Sequence, residues 1–445
     1  MASIPLPIPA GGKYDLNAQQ ILAKLVSFAT TSRESNLPLV NWVQDYLKHH
    51  GVNDVHLIYE PGDEDNGKAG LWATIGDRSK PGLILSGHTD TVPVDGQDWA
   101  TDPYRLTLVD DNKLQGRGAV DMLGGVATAL AAIPKFVSEE GNLQVPLHLA
   151  LSFDEELSIR GAPFVVGWMN EKSQDDSNNL FAKPLGCIVL EPTSGEVIRK
   201  HKGKIAATIT VTGEEGHSAR VTGLSATHPA GELMAFISSL HQEKATDGPT
   251  DADFDGKKDP NHSTLNIAGV VGGTPWAESG TPVVNFKAGD TKVWFEIRAI
   301  PAESPRDIYK EITNFADTLL SEMREIAPGA DIEFKVIGEY PGLNMQAENP
   351  FVQFVQSLVA AETSKANSGG ADACYFQIMG DIPTVICGPG DVSMAHKTNE
   401  FITVDALSEG TTMMDDLLKC MTPQTSDTKV SSKFSLLLQG HTKAL

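Results

Sequence analysis

At 445 residues the chain is too long for one ordinary hydrophobic core, so two or three domains are expected. With 40% hydrophobic and 21% charged residues its composition is globular, and no run reaches the ~20 apolar residues that a membrane span needs. A formal net charge of -23 argues against a nucleic-acid surface, which requires clustered Lys and Arg; it tolerates a cationic small substrate, but acidic surfaces mostly serve solubility.

The N-terminus, MASIPLPIPAGGKYDL, lacks a basic stretch followed by a continuous apolar run, so export by a standard signal is not expected. Amphipathic segments from about Asn17 to Phe28 and Leu37 to His49 predict helices. Apolar runs at Leu71 to Ile75, Gly82 to Ser86, Leu147 to Phe153 and Cys187 to Leu190 predict strands, with a buried Ala/Val/Leu-rich helix over Gly124 to Ile133. This alternation predicts an α/β fold with a largely parallel sheet between helices. The texture changes near Lys202. A β-branched strand (Ala206 to Val211), a helix (Pro229 to Gln242), a polar insert (Lys244 to His262), two strands (Thr264 to Val271, Lys292 to Ala299), a helix (Ser304 to Met323) and a strand (Asp331 to Val336) follow. That order predicts a compact α+β, ferredoxin-like sandwich over residues 202–337, inserted into the α/β domain. The α/β character returns with a helix from Pro350 to Glu362 and a strand from Thr384 to Cys387, so 1–201 and 338–445 are read as one discontinuous domain. The tail from Pro423 is Ser/Thr/Lys-rich with a short apolar patch (Phe434 to Leu438) and receives no role. Four cysteines, Cys187, Cys374, Cys387 and Cys420, lie far apart with no CxxC pair, which suits a reducing, cytoplasmic compartment.

Hydrolytic metal ions are held by imidazoles and carboxylates, and α/β sheets gather such ligands where strands end. His88 and Asp90, in GHTD, follow the run Gly82 to Ser86. Their spacing puts both side chains on one side of an extended segment, so Asp90 can hydrogen-bond the second nitrogen of His88; a surface His and Asp in a turn is the alternative. Asp121, in GRGAVDMLGG, reads either as a helix N-cap or as a carboxylate bridging two cations. Asp154, Glu155 and Glu156 follow a buried strand in SFDEE and would repel one another unless cations are present; a solvated loop is the alternative. Glu191, in LEPT, and His396, in CGPGDVSMAHKTNEF, each follow another predicted strand. Each residue alone has an ordinary structural explanation. Their joint placement is what singles out a metal centre.

The ordered motifs GHTDTVPV, GRGAVDM, DEE, EPT, GHSA and AHKTNEF resemble those of the M20 family of metallopeptidases and deacylases. VPVDGQDW, HKGK and CGPG are similar to its acetylornithine deacetylase branch. The likeness spans nearly the whole chain except the extreme N-terminus, the polar insert and the last residues. It implies two divalent metal ions, with zinc expected and cobalt or manganese also accepted. Asp121 would bridge them, His88 and Glu191 would complete one site, and Glu156 and His396 the other. Glu155 matches the general base and Asp90 the acid behind a metal ligand. His217, in EEGHSA, matches a histidine that reaches the partner subunit's active site, so a homodimer pairing through the inserted domain is implied. Arg298, in FEIR, matches a contact to the substrate carboxylate. A cis peptide after Asp121 and hydrolysis of an N-acyl amino acid, N-acetylornithine first among them, complete what the resemblance implies.

The chain departs from the family pattern where Leu123 and Gly124 replace a common Lys-Gly pair, and where PWAESGTPVVNFK follows GGT with Asn285 displaced. These changes touch substrate contacts more than metal ligands. Three other readings compete. A peptidase of the same family would use the same residues and differ only in substrate. A non-catalytic relative usually lacks ligands or the base, all of which are present here. A Ser or Cys nucleophile hydrolase would need a motif such as GxSxG, which the sequence lacks.

Overall fold

The computed structural model describes the whole chain except residues 1–2, 11–12, 33, 61, 63–66, 175–180, 274–283, 424–428 and 443–445. The segment carrying the altered PWAESGTPV stretch (274–283) and part of the C-terminal tail thus lie outside the described residues.

The chain begins with α1 (Ala18–Val26) and α2 (Leu37–His49), then β1 (Asp54–Tyr59), β2 (Ala69–Ile75) and β3 (Leu83–His88). Next come α3 (Leu123–Ser138), β4 (Leu147–Ser152), α4 (Ala162–Gln174), β5 (Gly186–Val189) and β6 (Val197–His201). A different run follows: β7 (Gly203–Thr212), α5 (Thr227–Thr246), β8 (Thr264–Gly272), β9 (Asp290–Ala299), α6 (Pro305–Ile326) and β10 (Asp331–Tyr340). The chain closes with α7 (Pro350–Leu358), α8 (Ala373–Ile378), β11 (Thr384–Ile386), α9 (Val404–Met421) and α10 (Lys429–Thr442). Local chemistry sets several of these ends. Asn17 and Gln20 close a capping box on α1, and Ser304 with Pro305 starts α6.

The elements gather into two compact units: Met1–Lys200 with Leu343–Ala366 and Ala371–Leu445, and His201–Gly342 with Asn367–Gly370. The larger unit holds a mixed sheet in the order Leu343–Asn344, β6, β11, β5, β3, β4, β2, β1. Its middle strands β11, β5, β3 and β4 run parallel, while β6, β2 and β1 pair antiparallel. Strands β2 to β5 are buried along their whole length, which accounts for their continuous apolar sequences. Helix α3 packs against α1 and α9 and is apolar on nearly every side. Cys187, Cys374, Cys387 and Cys420 are free, buried thiols.

The smaller unit is an antiparallel sheet in the order β8, β9, β7, β10. Burial alternates strictly along most of β7, so Ile205, Ala207, Ile209 and Val211 share one face. Helices α5 and α6 cover that face through Leu233, Ile237, Ile308, Ile312 and Leu319. The βαββαβ order is ferredoxin-like. Strand β10 continues to Tyr340, beyond the 337/338 boundary read from the sequence. Among the described residues, no helix is long and apolar enough to cross a membrane.

Candidate metal centre

Parallel pairing brings several strand ends to one edge of the larger sheet. In register, His88 lies opposite Ser152, Ser86 opposite Val189, and Val189 opposite Ile386. The residues that follow these positions therefore leave the sheet side by side: His88 itself, Glu155 and Glu156, Glu191, and the loop carrying His396. Asp121 arrives two residues before the start of α3, and the peptide bond that follows it, Asp121–Met122, is cis.

Asp121 stands between two imidazoles. Its Oδ1 lies 3.2 Å from His88 Nε2 and its Oδ2 lies 3.2 Å from His396 Nε2. Glu191 Oε1 lies 3.6 Å from His88 Nε2, and Glu156 Oε2 lies 2.9 Å from His396 Nε2. Donor atoms of His88, Glu155 and Glu191, and of His88, Asp121 and Glu156, fall within 4.8 Å of one another.

Asp90 meets His88 with its main chain as well as its side chain. The second nitrogen of His88, Nδ1, meets the backbone carbonyl of Asp90 at 2.9 Å, whereas the Asp90 carboxylate lies 3.5 Å away. That carboxylate accepts from the backbone N–H of Glu155 (3.0 Å) and Glu156 (3.3 Å) and from Ser32 Oγ (2.7 Å). One short peptide segment thus orients His88 with its main chain and the two glutamates with its side chain. The crowding expected of three consecutive acids is also relieved. Asp154 adopts a left-handed backbone (φ 50) and turns away to pair with Lys68 and Arg160. Only Glu155 and Glu156 face the centre.

Burial pushes the Glu155 and Glu191 carboxyls well above the ordinary range, with Glu156 and Asp372 adding to the first and Asp121 to the second. Burial and Asp121 push Glu156 up to about 7. Burial would raise Asp121 as well, but His396 and His88 hold it below the usual carboxylate range. Hydrogen bonds to Asp121 and Glu156 push His396 up to about 10. Acids crowded this closely are balanced by protons or by cations. The mixed imidazole and carboxylate donors suit divalent zinc, cobalt or manganese, so the residues present fit a pair of such ions.

Sequence reasoning missed the groups behind the ligands. Glu400 is buried, pairs with Arg117 at 2.7 Å, and accepts from the backbone N–H of Val120 (3.0 Å) and Asp121 (3.2 Å). Asp372, at the start of α8, is buried and receives the Ser152 hydroxyl at 2.5 Å. Arg117 and Glu400 both stood inside quoted motifs, GRG and AHKTNEF, and were the available signal. Two candidates lie in the smaller unit. His217 is exposed, on a two-residue ladder with Phe286, and its Nδ1 accepts from Ala219 N at 3.1 Å. Arg298, on β9, donates to Tyr340 Oη (2.6 Å) and Glu296 Oε1 (2.9 Å).

Residues 84–419 match the sequence pattern of the peptidase family M20/M25/M40. The chain belongs to this family. As an M20 member it is a metal-dependent hydrolase. It is 28% identical to acetylornithine deacetylase of Klebsiella pneumoniae (strain 342) over 374 residues, covering 83% of this chain and 87% of that protein. Its fold is similar to that of a tripeptidase from Staphylococcus aureus, with a TM-score of 0.66 at 18% identity over 92% of this chain and 99% of the other. Human carnosine dipeptidase 1 gives a TM-score of 0.65 at 19% identity, covering 90% and 96%. The M20 fold seen in the two units is thus shared with peptidases, and the sequence with a deacetylase.

Proposed function

We propose that this M20 hydrolase cleaves the amide bond of a small N-acyl amino acid, with N-acetylornithine as the first substrate to test, at a two-metal centre. The observation that carries the reading is Asp121, whose two carboxylate oxygens each face a different imidazole at 3.2 Å. Such a residue can serve two ions at once. His88 and Glu191 would hold one, and Glu156 and His396 the other. Bound there, two divalent ions, zinc expected, supply Lewis acidity toward the amide carbonyl and acidify a water.

The chain's own groups do the rest. Glu155, half-buried beside the ligands, takes the proton of the attacking water and passes it to the departing amine nitrogen. Asp90 keeps that carboxylate in place through the backbone N–H of Glu155. His217, by resemblance to the family, donates to the developing oxyanion in the partner subunit of a homodimer, a contribution of about 3–4 kcal/mol for a well-placed donor. Arg298 receives the substrate carboxylate. The free thiols suit a cytoplasmic setting.

The test is a single panel. Purified protein of measured metal content is assayed against N-acetyl, N-succinyl and N-formyl amino acids and against dipeptides. Selective turnover of N-acetylornithine is expected. Preference for dipeptides would replace the deacylase reading with a peptidase one at the same residues.

A further inference from the structure

Behind the candidate ligands lies a chain of polar contacts that touches none of their side chains. Glu400 Oε1 takes the backbone N–H of Val120 and Asp121, and its Oε2 pairs with Arg117 Nη1 at 2.7 Å. Arg117 Nη1 also reaches the Lys397 carbonyl at 3.4 Å, and Nη2 donates to Gln97 Oε1 at 2.5 Å. Gln97 in turn donates through Nε2 to the His396 carbonyl at 3.2 Å. Its Oε1 also receives Trp99 Nε1 at 3.0 Å, while the Trp99 ring lies beneath the Arg117 guanidinium at 5.0 Å.

The chain therefore begins at the backbone of Asp121 and ends at the backbone of His396. Both Arg117 and Glu400 are fully buried, so their pairing is shielded from water and holds a fixed geometry. His396 needs such support: its side chain is 53% exposed and its backbone lies at φ 61, in a loop rather than a strand. His88, at the end of a buried strand, is held by the sheet itself.

We propose that Glu400, Arg117 and Gln97 are positioning residues that set His396 against Asp121 and thereby fix the affinity for one ion, the one facing His396 and Glu156. This rests on the two-metal reading above. The ion facing His88 and Glu191 takes those two ligands from the sheet and meets this clamp only through the shared Asp121.

The experiment uses the full chain and Zn2+ alone as the probe, with stoichiometry and affinity read by chelator competition and with thermal melting of the chelated protein alongside. Gln97→Ala removes the link to the His396 carbonyl without unpairing a buried charge. It is expected to weaken one of the two Zn2+ ions by about 10–100-fold, leaving the other ion and the melting of the chelated form unchanged. Glu400→Gln is expected to retain about one ion under dialysis that leaves two on the parent. Two ions bound with the parent's affinities in both variants would overturn the proposal. Equal weakening of both ions together with lower melting of the chelated form would reduce the clamp to ordinary scaffolding and also overturn it. A parent protein binding fewer than two Zn2+ ions would sink the two-metal reading as well, and this is seen before any variant is made.

Discussion

At the scale of single residues, the centre divides labour between side chains and main chain. Glu155 is the group assigned to proton transfer, and its amide is tied to Asp90 rather than to a metal ligand. Glu155→Gln keeps the shape and that amide, so metal content should stay at the parent level while kcat falls by about 10²–10⁴-fold. Assay with metal analysis checks this, and parent-level turnover would remove Glu155 from the mechanism. The candidate ligands were legible because each stands just past an apolar run or at a helix start. At Asp90 the spacing placed the residue beside His88 but did not encode that its carbonyl, at 2.9 Å, stands nearer the imidazole than its carboxylate, at 3.5 Å. Arg117 and Glu400 stand inside the motifs, but what they do was not legible for a related reason: the hydrogen bonds that Glu400 accepts from backbone groups leave no pattern of residue types.

Elements place these residues through close approach. A Cβ on Gly125 would sit 2.2 Å from the Leu190 carbonyl, immediately before Glu191. Gly125→Ala must push α3 away from that strand end, at a cost of about 1–3 kcal/mol, and should loosen metal binding as Glu191 shifts. Urea unfolding and Zn2+ affinity measure the two effects; a variant with both values unchanged would mean that the contact relaxes freely. On β4, His148 is buried between the rings of Trp72 and Phe181, and burial pushes it down to about 3 from 6.5. The unfolded chain takes up this proton near pH 6.5 and the folded chain only near pH 3. Stability is therefore lost as pH falls through that window, by roughly 1.4 kcal/mol per pH unit. His148→Phe should flatten this part of the acid-unfolding profile, measured with chelator present. An unchanged slope would clear His148. Two strands of the larger sheet that went unread from the sequence are β1 and β6. DVHLIY and VIRKH carry charged or imidazole groups that break the apolar run; β1 is a partly exposed edge strand, whereas β6 is buried throughout and its Arg199 donates to the Met345 carbonyl at 2.9 Å.

For the whole molecule, the two units each own a hydrophobic core. The candidate ligands, Glu155 included, all belong to the larger one. Ions that bind only its folded form stabilise it by mass action, about 5 kcal/mol for two sites at a hundredfold excess over Kd. Chelation should therefore lower the calorimetric transition of the larger unit and spare that of the smaller; a uniform shift of both would show that the units melt as one. The change of texture near Lys202 and the βαββαβ order were readable because strand and helix periodicities differ. The return of Asn367–Gly370 to the smaller unit was not, since four residues carry no periodicity.

The buried thiols have a practical consequence. All four cysteines of the sequence are shielded, so alkylating reagents should leave the native protein almost unmodified. The wild-type chain is thus a ready background for site-specific labelling. One cysteine introduced on the surface of each unit would carry a spin-label or fluorophore pair, and the separation of the labels could be followed as substrate is added.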